Sequence, residues 1–281
     1  MRLLDLINDG AGILKNKNIK SYLLDSEILM SQAIEKDRKY VILNSNKQIS
    51  KKTISLYKEL INQRSNGKPI SYLIGKKDFW KYEFTISEKV LIPRPETEMI
   101  IEQVLKLTKN KSKLNILDIG VGSGCLILSI LKEKKDFYGV GIDKSKKCLE
   151  LSNINALKLN LKNRVKFFNS DIDNFDYGKY DLIISNPPYI NKFDIKKLDR
   201  EVLKFEPRLA LYGGLDGTSE IRKVINKSSE LIKKNGKLII EISFDQKEKV
   251  KSLLKKKGFY INKVLKDFAK NDRCIVSTKI N

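Results

Sequence analysis

The sequence predicts an α/β protein, a doubly wound sheet of seven strands behind a small all-α N-terminal domain. Three observations predict it. Apolar residues recur at helical spacing through residues 1–66. From Leu114 onward, short apolar runs alternate with helical stretches, the pattern of a layered sheet. The first of those runs ends in Gly120-Val121-Gly122-Ser123-Gly124, a tight turn that leads into a helix.

In the N-terminal region Leu3, Leu4, Leu6 and Ile7 make one apolar face. Tyr22, Leu23, Leu24, Ile28 and Leu29 make a second, and Ile54, Leu56, Tyr57, Leu60 and Ile61 a third. The loops Asn8-Asp9-Gly10 and Asn44-Ser45-Asn46 interrupt them. Nothing in this bundle looks catalytic, so it reads equally as a partner-docking module or as a packing domain. Asn66-Gly67-Lys68-Pro69 ends it. Residues 70–92 alternate aromatic and polar types and predict short strands, a hairpin linking two domains. Pro95, with Glu96 and Glu98 behind it, marks a helix start that runs to about Thr108. Arg94 is either a substrate contact or the partner of a nearby carboxylate. The expected domains are therefore 1–66, 67–95 and 96–281.

Leu114–Ile119 is a buried strand, and the helix after the glycine turn starts at Cys125. Phe137–Ile142 is the next strand, ending in Asp143. About twenty residues separate the glycine turn from that acid, the spacing at which a strand-end carboxylate meets ribose hydroxyls in nucleotide-binding sheets. Asp143 also reads as a helix N-cap before Lys144-Ser145. Val165–Phe168, Tyr180–Ile184, Lys237–Ile242, Tyr260–Val264 and Arg273–Ser277 complete the strands, the last pair suiting an antiparallel edge. Helices are expected near 145–159, 219–233 and 246–256. Asp171, just past the third strand, is either an acceptor for an adenine amino group or a turn aspartate. Ligands in such sheets sit at the carboxyl ends of the strands, which puts Gly120, Asp143, Asp171 and Asn186 on one rim.

The fourth strand runs into Ser185-Asn186-Pro187-Pro188-Tyr189. Each proline fixes its φ and removes a donor, and Asn186 and Pro187 are held extended because a proline follows each. The loop thus offers carbonyl acceptors, one amide and one aromatic ring. Asn186 Oδ1 and the Pro187 carbonyl suit the two hydrogens of a flat, conjugated NH2 group, with the Tyr189 ring on its face. Such a nitrogen is a poor nucleophile because its lone pair is delocalised. Acceptors on its hydrogens return density to it. Taken alone, the tetrapeptide is also an ordinary proline-rich turn.

The 281 residues carry 56 Lys and Arg against 34 Asp and Glu, with no histidine, for a net charge of +22. The lack of histidine excludes a His-activated nucleophile and a His-ligated metal. Cys125, Cys148 and Cys274 are too scattered for a metal or disulfide framework. The lysines are spread over every segment, a pattern that fits biased composition as well as a nucleic-acid-binding stripe and is read first as composition, although a basic surface still steers towards acidic or ribosome-associated partners. No apolar run reaches membrane-spanning length, and acids lie near Met1 where a leader peptide avoids them, so the expected location is the cytoplasm.

Asp118-Ile-Gly-Val-Gly-Ser-Gly124, Asp143 and Asn186-Pro-Pro-Tyr189 together resemble a class I S-adenosylmethionine-dependent methyltransferase acting on planar amino groups. Gly67–Gly75 with Phe79-Trp80, Leu91-Ile-Pro-Arg-Pro-Glu-Thr-Glu98, Phe205–Leu211 with Gly213-Gly214, and Asp25–Leu29 narrow this to a resemblance to the release factor glutamine N5-methyltransferase (HemK) family, over nearly the whole chain. The resemblance implies a helical N-terminal domain, a hairpin linker and a seven-stranded methyltransferase domain. It implies S-adenosyl-L-methionine as cofactor, held by Gly120, Val121, Gly122, Ser123, Gly124, Asp143, Asp171, Ile172 and Asn186. Some relatives carry an aromatic residue at the place of Ile172. It implies a glutamine amide held by Asn186, Pro187, Pro188 and Tyr189, with Asn186, Pro187 and Tyr189 catalytic. The implied partner is a peptide-chain release factor methylated in its Gly-Gly-Gln motif, with no metal, no membrane and no need to bind nucleic acid.

Two other outcomes share these residues. The acceptor is a glutamine of a ribosomal protein, or an amino group of adenine or cytosine in nucleic acid. The second requires a flipped base and a recognition domain or basic groove, and no separate segment supplies one. A third reading is a non-catalytic RNA- or ribosome-binding protein on the same fold, against which the intact glycine turn, Asp143 and Asn186 stand.

Overall fold

The computed structural model describes residues 1–280. In chain order the helices and strands are α1 Leu3–Asn16, α2 Tyr22–Ile34, α3 Arg38–Leu43, α4 Lys51–Ser65, α5 Ile70–Ile74, β1 Lys76–Phe79, β2 Tyr82–Thr85, α6 Glu98–Leu107, β3 Asn115–Ile119 and α7 Cys125–Glu133. They continue as β4 Tyr138–Asp143, α8 Lys146–Lys158, β5 Val165–Asn169, β6 Tyr180–Ser185, α9 Arg200–Phe205, α10 Ser219–Leu231, β7 Ile232–Glu241, α11 Lys247–Lys256, β8 Phe259–Lys266 and β9 Asp272–Lys279. The chain divides into two compact units, Met1–Lys76 with Arg200–Phe205, and Lys77–Asp199 with Glu206–Asn281.

The helical unit is built on a core that includes Leu3, Leu6, Leu14, Leu29, Met30 and Tyr57. The apolar faces read from the sequence are narrower in fact: Leu4, Leu23, Leu24 and Leu56 lie exposed. Ser26 donates to the Ile7 carbonyl at 2.7 Å and shares a 2.6 Å hydrogen bond with the Tyr57 hydroxyl, so the motif Asp25–Leu29 is tied to two helices. Arg64 is buried, and its guanidinium meets Asp25 Oδ2 at 2.7 Å and Glu201 Oε1 at 2.6 Å. Glu201 comes from α9, which joins this unit from much later in the chain.

The expected strands over residues 70–92 are corrected in part. Residues 70–74 form α5, and only β1 and β2 make the hairpin. Pro69 stands at the helix start and Gly75 ends it in the left-handed region with φ of 70°, a proline-in, glycine-out pattern that the aromatic alternation hid. The hairpin belongs to the sheet unit, where Phe79 and Phe84 join the core. The compact units thus part at Lys76–Lys77, whereas the sequence suggested separate segments of 67–95 and 96–281.

The sheet order is β5-β4-β3-β6-β7-β9-β8. Strands β5 to β7 are parallel, and β9 runs antiparallel to both β7 and β8. This is the doubly wound seven-stranded sheet with an antiparallel edge that the strand pattern predicts. Strand β7 starts at Ile232, earlier than expected. It carries Asn235, at φ of 62°, as an irregularity where its register with β6 shifts. Apolar cores fill both faces, one under α6, α7 and α8 and one under α10 and α11. The order reverses at β3, whose neighbours are β4 and β6, and there a crevice opens at the strands' carboxyl ends.

Candidate active site

Register sets the site. Ile119 of β3 pairs with Ile142 of β4 and Ser185 of β6, so Gly120, Asp143 and Asn186 are the next residues on three adjacent strands. Asp143 in turn pairs with Asn169 of β5, two residues before Asp171. A cleft with about 1020 Å³ of empty space, counting its open mouth, lies on this rim. Gly120, Gly122, Asp143, Asp171, Ile172, Asn186, Pro187 and Pro188 all line it.

The other expected residues stand behind the lining. Val121 is buried in the core, and Ser123 is buried with its carbonyl accepting from Asn155 Nδ2 at 2.8 Å. Gly124 caps α7 at φ of 81°. Gly120 and Gly122 also have positive φ, and a Cβ on either meets nothing within 4 Å. These two positions face free space, so a ligand can reach the backbone there.

Asp143 ties the turn together. The Gly122 N–H donates to its Oδ2 at 3.0 Å and the Ser145 N–H to its Oδ1 at 2.9 Å. Burial raises its pKa, and those two N–H donors oppose the rise. The N-cap of α8 is Ser145, whose Oγ accepts from Cys148 N–H, so Asp143 is not the cap. Each Asp143 oxygen keeps a lone pair for a further donor. Asp171 accepts from Asp173 N–H at 3.1 Å as a turn aspartate while lining the cleft. Beneath the turn, Asp118 is buried and burial pushes its carboxyl up to about 7. Neither oxygen has a hydrogen bond of good geometry, although the Ile127 backbone favours its charged form.

In the proline loop, Asn186 Nδ2 donates to Thr97 Oγ1 at 3.1 Å. That bond takes one of its two amide hydrogens, and among the described residues no donor is paired with Oδ1. Tyr189 packs on the apolar core and donates its hydroxyl to Glu241 Oε1 at 3.3 Å, and it is not among the residues that line the cleft. A phenol buried this far needs a partner, and Glu241 is the acceptor within reach. Gln246 Nε2 donates to the Tyr189 and Gly217 carbonyls, both at 3.0 Å, and pins the loop from behind. Arg94 does not face the cleft as a free cation; it pairs with Glu206, whose Oε2 also accepts from Ile92 N–H. That pair joins two motif segments far apart in sequence.

Thr97, Glu241 and Gln246 escaped sequence reasoning. Thr97 lies inside Ile92–Glu98, and Glu241 is the last residue but one of the predicted strand Lys237–Ile242, at its carboxyl end, so position offered a signal. What they touch did not show. Among the described residues, no group of three or more Cys, Asp or Glu is placed to hold a metal, and no helix is long and apolar enough to cross a membrane.

Comparison with known proteins follows the same division. A family model for the PrmC N-terminal domain matches residues 5–75, and one for a methyltransferase domain matches residues 110–277. The fold is similar to the crystal structure of a ribosomal protein L11 methylase from Lactobacillus delbrueckii subsp. bulgaricus, with a TM-score of 0.51 and 16% identity over 73% of this chain and 89% of that one. A release factor glutamine methyltransferase of Clostridium acetobutylicum is 35% identical over 99% of both chains. Another, from Buchnera aphidicola subsp. Schizaphis graminum, is 38% identical over 91% of this chain and 92% of its own. With identity of that order running from the first helix to the last strand, the chain belongs to the release factor glutamine methyltransferase family.

Proposed function

We propose that this protein transfers the methyl group of S-adenosyl-L-methionine to the side-chain nitrogen of the glutamine in the Gly-Gly-Gln motif of peptide-chain release factors. The carrying observation is Asn186: it lines the cleft beside Pro187, on the same rim as the glycine turn, and its Nδ2 bonds Thr97, which leaves Oδ1 to act as the acceptor.

The residues present fit the cofactor. Gly120 and Gly122 leave space where any side chain would intrude, and Asp118 is a buried acid without a well-formed partner under the turn, suited to a cationic end group. Gly120–Gly124 would hold the methionine part and Asp143 the ribose hydroxyls, with Asp171 and Ile172 on the adenine side. When bound, the cofactor supplies an electrophilic methyl group on a sulfonium. The chain's own work is positioning. Asn186 Oδ1 and the Pro187 carbonyl accept the two hydrogens of the glutamine amide, aim its lone pair and favour the charge that builds on nitrogen. Pro187 and Pro188 keep the loop stiff, so little reorganisation accompanies the reaction.

The helical unit is assigned to substrate docking. Its exposed apolar side chains, Leu43 at 72% exposure among them, support that reading. A translation factor as substrate puts the reaction in the cytoplasm. The test is mass spectrometry of a release factor after incubation with the protein and methyl-labelled cofactor. One added methyl on the Gly-Gly-Gln glutamine is expected. Label found only in a ribosomal protein or in nucleic acid overturns the reading.

A further inference from the structure

Glu241 ends β7 with 2% of its surface exposed, and its Oε2 has no hydrogen bond of normal geometry. An acid buried this way is costly. Its surroundings explain its presence. Tyr189 donates to Oε1 at 3.3 Å, and the Thr97 hydroxyl lies near enough to favour the charged form of the same carboxyl, without a hydrogen bond of normal geometry between them. Thr97 Oγ1 in turn accepts from Asn186 Nδ2 at 3.1 Å. Both ends of the loop Asn186–Tyr189 therefore lead to one carboxyl group. The other charged or titratable groups around it are Glu96 from the turn before α6, and Arg273 and Cys274 from β9.

A threonine hydroxyl has one hydrogen to give and lone pairs to receive. When the hydrogen goes to Glu241, Oγ1 can only accept from Asn186. The amide must then turn its NH2 to Thr97 and its oxygen to the cleft. When the hydrogen goes to Asn186 instead, the amide is reversed. Its NH2 then faces the cleft, where it opposes the N–H groups of a substrate amide. The direction of a single hydroxyl thus decides whether Asn186 is an acceptor or a donor.

We propose that Glu241 is a positioning residue for methyl transfer: its carboxylate draws the Thr97 hydrogen and so fixes the Asn186 amide with Oδ1 towards the target nitrogen. The inference rests on the reading of Asn186 as the acceptor for the glutamine amide. Burial drives the Glu241 carboxyl up to about 7, so its charged form, and with it the acceptor role, is lost as pH falls below that value.

The experiment compares turnover on a release factor by the wild type, Glu241→Gln, Thr97→Val and Thr97→Ser, with cofactor affinity from calorimetry and folding from circular dichroism. Glutamine keeps the shape but offers an NH2 to Thr97, which sends the threonine hydrogen to Asn186. The expected result is a kcat lower by about 10–100-fold in Glu241→Gln and in Thr97→Val, with KM and cofactor affinity unchanged. Thr97→Ser, which keeps the hydroxyl, restores most of the turnover. Wild-type kcat rises with pH through about 7, and that rise is absent in Glu241→Gln. The double variant Glu241→Gln/Thr97→Val is no slower than either single one, because both break one chain. Wild-type kcat in Glu241→Gln overturns the inference, and so does a Thr97→Ser as slow as Thr97→Val, a result that stands whether or not Glu241→Gln folds. A wild type that leaves the glutamine unmethylated overturns the functional reading and this inference together. An active wild type with an inactive Asn186→Ala and a normal Glu241→Gln overturns the inference alone.

Discussion

Asn186 and Thr97 are joined by a 3.1 Å hydrogen bond in which the amide nitrogen is the donor. One residue follows directly on β6, the other precedes α6, and 89 positions of sequence separate them. Asn186→Ala removes the proposed acceptor oxygen while leaving the prolines in place. Turnover is expected to fall by about 10²–10³, with cofactor affinity nearly unchanged. Asn186→Asp keeps an acceptor but loses the donor to Thr97, and partial activity is expected. Single-turnover rates on a release factor check both variants.

Asp143 receives two backbone N–H groups, from Gly122 and Ser145, and faces the cleft. Asp143→Ala removes a charged acceptor and also releases the turn. Calorimetry is expected to show cofactor binding weaker by about 1.5–3 kcal/mol. Unchanged affinity in a folded variant removes Asp143 from the site.

Gly213 packs against the proline loop. A Cβ there meets the Pro188 and Gly217 carbonyl oxygens at 2.7 Å and Tyr189 Cα at 2.8 Å, all backbone atoms that cannot swing aside. Gly213→Ala is expected to displace the loop. It should lower kcat by about tenfold or more and cost roughly 1–3 kcal/mol of stability, with little effect on cofactor affinity. Stopped turnover assays beside thermal melts separate the two effects.

Burial raises Asp118 from 3.8, and Glu241 from 4.5, to about 7 each. A folded-state pKa above the unfolded one means that the associated stability is whole below the unfolded value. It is lost as pH rises through the folded one. The cofactor-free protein is therefore expected to melt at lower temperature at pH 8 than at pH 5.5 through these two groups. Asp118→Asn should reduce that slope, with a gain on the order of 1–3 kcal/mol at pH 8. Its cofactor affinity should fall. A pH slope identical to the wild type's counts against Asp118 as its source.

The sheet was legible because its strands are near-continuous apolar runs broken by glycine and proline, and these signals are local. The rim residues Gly120, Asp143 and Asn186 were legible because a parallel sheet brings successive strand ends to one edge. Residues 70–74 misled because aromatic alternation outweighed the Pro69 and Gly75 punctuation. The partners of Tyr189 and Asn186 could not be read, since Thr97 and Glu241 meet them only through pairing of β6 with β7 and the return of the segment before α6. Long-range hydrogen bonds leave no periodic trace in sequence. Asp25 looked like a motif residue, and its partner Arg64 became apparent only with the helices packed.

The helical unit is completed by Arg200–Phe205, where Glu201 reaches Arg64 at 2.6 Å and Phe205 lies beside Gly67. This has a consequence for biosynthesis. The first helices leave the ribosome early, but the last piece of their unit follows only after β6 has been made. An N-terminal domain would ordinarily fold as soon as it is translated. This one holds its buried Arg64 with half of its counter-charge until residue 201 arrives. Nor can the unit be exchanged between relatives as a cassette. A cut after Lys76 leaves α9 behind, with Glu201 deprived of its guanidinium, so a working chimera must carry both segments from the same parent.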